Sequence, residues 1–82
     1  MSRTDIERRI LTALEGRLRD GVEPGPQTDL IGDTRMDSVA VMDFVLELED
    51  EFDITIPLER MSGVRTVADV ARAVETVTAG GY

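Results

Sequence analysis

Apolar residues return every three or four positions in three stretches of the chain, the period of amphipathic helices packed around one core. In the first stretch, residues 4–19, Ile6, Ile10, Leu14 and Leu18 recur at four-residue spacing with Ala13 beside them, and Thr4 with Glu7 forms a capping-box pattern. Gly21 fits the stop. Residues 21–36 then hold Pro24, Gly25, Pro26 and Gly32, which predicts a long loop, with Leu30 and Ile31 as its expected anchors in the core. Asp37-Ser38 opens a second helix, expected over residues 38–52. Projection at about 100° per residue gathers Val41, Phe44, Val45, Leu48 and Phe52 on a core arc, while Asp43, Glu47, Asp50 and Glu51 lie mainly opposite. Val39, Met42 and Leu46 make a second, narrow apolar stripe that a small bundle has no core to bury, so exposure is expected. An exposed apolar strip rimmed with charge is the composition of a protein-binding surface.

The remaining segments are short. Asp53-Ile54-Thr55-Ile56-Pro57 alternates and ends in proline, which predicts an extended connection; without a second β segment to pair with it, no sheet forms. Residues 58–61 read as one short helical turn. Thr66 and Asp69 repeat the cap pattern before a last helix over 67–78, whose core face is Val67, Val70, Ala71, Val74 and Val77, and residues 79–82 are expected to fray. The expected fold is all-α: one domain over residues 1–82, a small four-helix bundle of three longer helices and one short one.

Composition narrows the function. A chain of 82 residues buries only roughly 60–65% of its unfolded surface, which leaves one modest core and no deep catalytic cleft. With no cysteine and no histidine, disulfides, Cys/His zinc sites, a thiol nucleophile and an imidazole base are excluded. The net charge of −8 argues against nucleic acid as a partner. The charged start, MSRTDIERRI, does not resemble a signal peptide, and no stretch approaches the ~20 apolar residues of a membrane span, so a soluble cytoplasmic protein is expected. All nine basic residues are arginine. From Asp29 to Glu59 ten acids stand against Arg35 alone, so this window carries −9 and the rest of the chain +1. One side of the molecule is a negative field, which steers cationic partners.

Candidate chemistry centres on the start of the second helix. Asp37 or Ser38 serves as its N-cap on an ordinary structural reading. A hydroxyl at a helix N-terminus is also well placed to carry a phosphate, because free N–H groups and the helix dipole favour an anion there. Calcium is a third reading, since Asp29, Asp33 and Asp37 recur every four residues. That spacing misses the alternating ligands and central glycine of an EF-hand loop.

Asp37-Ser38-Val39, the acidic helix with Glu47, Glu49, Asp50 and Glu51, the connection Phe52-Asp53-Ile54-Thr55-Ile56-Pro57 and the segment Arg65-Thr66-Val67-Ala68-Asp69 together resemble the acyl carrier protein family. The resemblance covers residues 29–77 closely, and the first helix and loop fit the same plan. It implies that Ser38 receives 4′-phosphopantetheine from coenzyme A through a phosphopantetheinyl transferase, and that the arm's thiol holds an acyl cargo as a thioester. It implies a carrier and not an enzyme. Its further partners would be a loading ligase or acyltransferase and downstream synthase enzymes with basic patches, docking on Asp37, Val39, Met42, Asp43, Leu46, Glu47 and Asp50. A monomer serving polyketide, fatty-acid-like or other specialised biosynthesis is expected. Four positions depart from the family's habit: Val39 where Leu or Met is usual, Ala40 where fatty-acid carriers commonly have an acid, and Arg35-Met36 in place of Gly-Ala. The alternatives are a free-standing aminoacyl or peptidyl carrier with the same arm, and an acidic helical adaptor without a cofactor.

Overall fold

A computed structural model describes residues 2–78, with only the backbone of Leu58. The fraying expected for residues 79–82 lies outside the described residues. Three α-helices follow one another: α1 (Arg3–Leu14), α2 (Ser38–Phe52) and α3 (Val67–Thr78), with a single 3-10 turn at Leu58–Arg60. The short fourth helix expected over 58–61 is therefore only this turn, three residues long. Among the described residues there is no strand, only two isolated bridges.

Helix α1 departs from expectation at both ends. The capping box that forms is Ser2/Asp5 and not Thr4/Glu7: the Ser2 hydroxyl accepts the Asp5 N–H (3.2 Å) and the Asp5 carboxylate accepts the Ser2 N–H (3.4 Å). The helix stops at Leu14 instead of 19, because Gly16 takes the left-handed conformation (φ 85°), which only glycine adopts without penalty. Leu18, whose spacing prolonged the helical pattern, instead bridges to Thr34. There Arg19 N–H donates to Asp33 O (3.0 Å) and Arg35 N–H to Arg17 O (2.9 Å). A second bridge, Asp29 to Thr66, joins the same loop to the entry of α3. These two pins fix a loop that has no regular structure of its own.

Helix α3 occupies the expected range. Its box closes as Asp69 N–H to Thr66 Oγ1 (3.2 Å) and Thr66 N–H to Asp69 Oδ2 (3.1 Å). Helix α1 packs along α3 in the antiparallel sense, with Arg3 at the start of one joined to Glu75 near the end of the other (2.7 Å). The core unites Ile6, Ile10 and Leu14 of α1, Phe44, Val45 and Leu48 of α2, and Val67, Val70, Ala71 and Val74 of α3. Val41, Phe52 and Val77 are only half-buried. Leu30 anchors the loop as expected, but Ile31 does not: it is 52% exposed. The two are neighbours in one tight turn, so only one side chain can point inward.

Candidate functional site

The entry to α2 is built by residues that immobilise the backbone before it. Thr34 is fully buried; its hydroxyl donates to the Leu30 carbonyl and accepts the Met36 N–H (3.1 Å). Met36 is itself buried, so the chain is clamped two residues ahead of Ser38. Neither role is visible in the sequence, where a threonine and a methionine among polar residues show no period. Asp37 is the N-cap: its backbone is extended (φ −92°, ψ −176°) and its Oδ1 accepts the Ala40 N–H (2.8 Å). The choice left open by the sequence is thus resolved in favour of Asp37. Ser38 is the first helical residue, exposed, and its hydroxyl makes no hydrogen bond among the described residues. With capping done by the neighbouring carboxylate, this hydroxyl sits unengaged beside the positive end of the helix dipole.

Further along α2 the two apolar stripes separate as the projection requires. Phe44 and Leu48 are 0% and 1% exposed, whereas Val39, Met42 and Leu46 are 69%, 47% and 58% exposed. The acids do not form one uniform face. Glu47 is paired with Arg17 (3.2 Å) and Glu51 with Arg9 (3.1 Å). Both guanidinium groups also lie over aromatic rings, Arg9 over Phe52 (4.4 Å) and Arg17 over Phe44 (5.3 Å). Asp43 and Asp50 are exposed and carry no ion pair among the described residues. Sequence reasoning missed Arg9 and Arg17, since residues 30 and 42 positions away leave no local signal. Arg35, next to the entry, forms an exposed pair with Asp20 (3.3 Å) and lines a groove of about 340 Å³ with Arg17, Met36, Ala40, Asp43 and Glu47.

The aspartates weighed for calcium have other work. Asp29 Oδ1 accepts the N–H groups of Ile31 (2.9 Å) and Gly32 (2.7 Å), and Asp33 Oδ2 accepts that of Asp29 (2.8 Å). The Gly32 and Ile31 N–H groups, with Arg65 beside them, hold the Asp29 carboxyl below the usual carboxylate range. No group of three or more acidic side chains among the described residues could hold a metal ion. Ile31 instead lines a shallow groove of about 350 Å³ with Leu30, Val41, Val64 and Arg65, one turn along α2 from Ser38. No helix among the described residues is long and apolar enough to cross a membrane.

An unengaged serine hydroxyl at a clamped helix start, followed by an apolar strip edged with acids, suits covalent loading and docking. Residues 8–74 match the family described as the phosphopantetheine attachment site, whose members are carriers of that arm. A probable acyl carrier protein of Caulobacter vibrioides is 38% identical over 72 residues, covering 87% of this chain and 84% of that protein. The meromycolate extension acyl carrier protein of Mycolicibacterium aurum is 31% identical over 58 residues, and the match spans 60% of its length. An acyl carrier protein of Rhodococcus erythropolis is 28% identical over 64 residues, 74% of this chain and 70% of that protein. The chain belongs to the acyl carrier protein family. It is a carrier and not an enzyme; its cofactor is phosphopantetheine, and membership implies a phosphopantetheinyl transferase and synthase enzymes as partners.

Proposed function

We propose that Ser38 is the residue loaded with 4′-phosphopantetheine and that α2 is the surface on which partner enzymes dock. The observation that carries the first half is the division of labour at the helix start: Asp37 caps, so the Ser38 hydroxyl is exposed and unengaged. When bound, the arm supplies the thiol that a chain without cysteine lacks. The protein's own residues contribute a fixed backbone at Met36 and Asp37 and first-turn N–H groups that favour a phosphate. Docking on Asp37, Val39, Met42, Asp43, Leu46, Glu47 and Asp50 rests on exposure: the apolar stripe supplies contact, and the acids supply steering toward basic patches.

The cargo follows from the dense acidity of α2, which resembles acyl carriers more than the carriers embedded in peptide synthetases. The reading is a discrete, monomeric, cytoplasmic carrier of carboxylic acyl groups in polyketide, fatty-acid-like or other specialised biosynthesis. Incubation with coenzyme A and a broad-specificity transferase adds one phosphopantetheine to the intact mass, and Ser38→Ala adds none while keeping its helical circular dichroism. An unmodified wild type, or a modified alanine variant, overturns the assignment of Ser38. Loading by an adenylating enzyme with an amino acid, and with no acyl group, replaces the acyl reading with an aminoacyl one.

A further inference from the structure

We infer that Arg17 and Arg9 withdraw Glu47 and Glu51 from the docking face, so that its steering charge comes from Asp43 and Asp50. The inference rests on α2 being that face, and it narrows the steering acids proposed above by removing Glu47 from them. Projected from Val39, Leu46 falls about 20° to one side and Asp50 and Asp43 about 20° and 40° to the other, whereas Glu47 and Glu51 fall about 80° and 120° round. At that angle the two glutamates meet the arginines, on α1 and in the turn just after it. Arg17 Nη2 reaches both carboxylate oxygens of Glu47 (3.3 and 3.2 Å), and Arg9 reaches Glu51 Oε2 and its backbone carbonyl (3.1 and 3.3 Å).

Arg17 is held ready for this contact. Its N–H donates to Leu14 O (2.9 Å), its carbonyl accepts from Arg35 (2.9 Å), and its guanidinium rests over Phe44 with Met36 Sδ at 3.9 Å. A carboxylate faced by a guanidinium acts on a distant partner as a dipole and not as a charge, and salt at about 0.15 M screens that remnant within about 8 Å. Asp43 and Asp50 have no guanidinium facing them among the described residues. They stand seven residues apart, two helical turns or about 10 Å, along one edge of the Val39/Met42/Leu46 stripe. The fitting partner is a protein surface with two cationic side chains at about that spacing beside an apolar side chain.

The test measures association of the apo protein with a broad-specificity phosphopantetheinyl transferase at low and near-physiological salt. Asp43→Asn and Asp50→Asn each slow association about 2- to 5-fold at low salt, and the deficit shrinks as salt rises. Glu47→Gln slows it by less than half that factor. Arg17→Gln speeds association about 2-fold by uncovering Glu47, and Arg17→Gln/Glu47→Gln falls back to the level of Glu47→Gln. Circular dichroism confirms folding of each variant, and Arg9→Gln repeats the test on Glu51. If Glu47→Gln slows association as much as Asp43→Asn and Arg17→Gln has no effect, while Leu46→Ala still weakens binding, the masking is refuted and the docking face stands. If Leu46→Ala, Asp43→Asn and Asp50→Asn all leave association unchanged, the docking face itself lies elsewhere.

Discussion

Leu46 and Leu48 are the same residue type, two positions apart on one helix, and the structure sends them to opposite fates. Leu48 is 1% exposed among Phe44, Val45 and the core of α1 and α3; Leu46 is 58% exposed. Leu48→Ala loses the transfer energy of the deleted atoms and leaves a cavity, a cost of about 2–5 kcal/mol. Total stability for a chain of this length is about 4–12 kcal/mol at the usual value per residue. Leu46→Ala removes atoms already largely in water and installs a better helix former, so its change lies within about ±0.5 kcal/mol. With a urea slope of about 1 kcal/mol/M, the two unfolding midpoints separate by about 2 M or more. In melting temperature the gap is about 8–16 °C for a 2 kcal/mol difference. Binding inverts the order. Leu46→Ala raises the KM for the transferase about fivefold or more, the loss of one apolar anchor, while Leu48→Ala leaves it unchanged at a temperature where that variant is folded. Urea titration by circular dichroism and transferase kinetics on the same samples decide the matter. Equal destabilisation by the two variants refutes the assignment of faces.

Two further expectations concern the segments that hold the helices in place. Glu49 Oε2 accepts the Ile56 N–H (2.6 Å) and its carbonyl accepts that of Ile54 (3.0 Å), so Glu49→Ala orphans a half-buried donor and costs about 1–3 kcal/mol in urea unfolding. Asp69 is held below its ordinary 3.8 by the Arg65 and Thr66 N–H groups at the start of α3. Its folded-state pKa lies below the unfolded one, so its contribution is complete above about 3.8 and is lost as pH falls through the folded value. Falling pH also relieves the repulsion within a chain of net charge −8 as far as its isoelectric point of about 4.3, which acts in the opposite direction over that range. The difference between wild type and Asp69→Asn isolates the carboxylate: urea midpoints set the variant below wild type at about pH 6, and the gap narrows toward about pH 3. A gap that does not change with pH refutes the role given to Asp69.

What could be read from the sequence follows the range of the forces involved. Helix α3 was legible end to end because its cap and its apolar period are both local, and the two stripes of α2 were legible because angle along a helix is fixed by residue number. Helix α1 was misjudged where local signals compete. Ser2/Asp5 and Thr4/Glu7 both satisfy the box pattern, and Leu18 keeps the period after Gly16 has already turned the chain. Ile31 failed for a related reason: adjacent apolar residues in a tight turn cannot share an inward direction, and only the tertiary bridge between Asp29 and Thr66 selects Leu30. The polar clamp at Thr34 and the ion pairs from Arg9 and Arg17 join residues far apart in the chain, so no window of sequence contains them.

At residue 38 two requirements meet that one side chain cannot satisfy alone. Under the loading proposed for Ser38, the transferase needs the serine fixed in space, and a helix start is fixed only when its first N–H groups are capped. A serine that provided the cap would have its oxygen committed to a first-turn N–H, and esterification would turn that oxygen into a weaker, bridging acceptor. Here the carboxylate of Asp37 takes the Ala40 N–H, and the buried Met36 and Thr34 fix the backbone from the other side. The rigidity therefore comes from residues 34, 36 and 37, and the Ser38 hydroxyl is left exposed for the loading proposed above. The same separation recurs along the helix. Arg9 of α1 and Arg17 of the turn after it brace the helix through two of its acids, and in the docking proposed above Asp43 and Asp50 are left to face a partner. In both places the contacts that hold the domain together are made by groups other than those offered outward, so a partner can engage the outward groups without unmaking the fold.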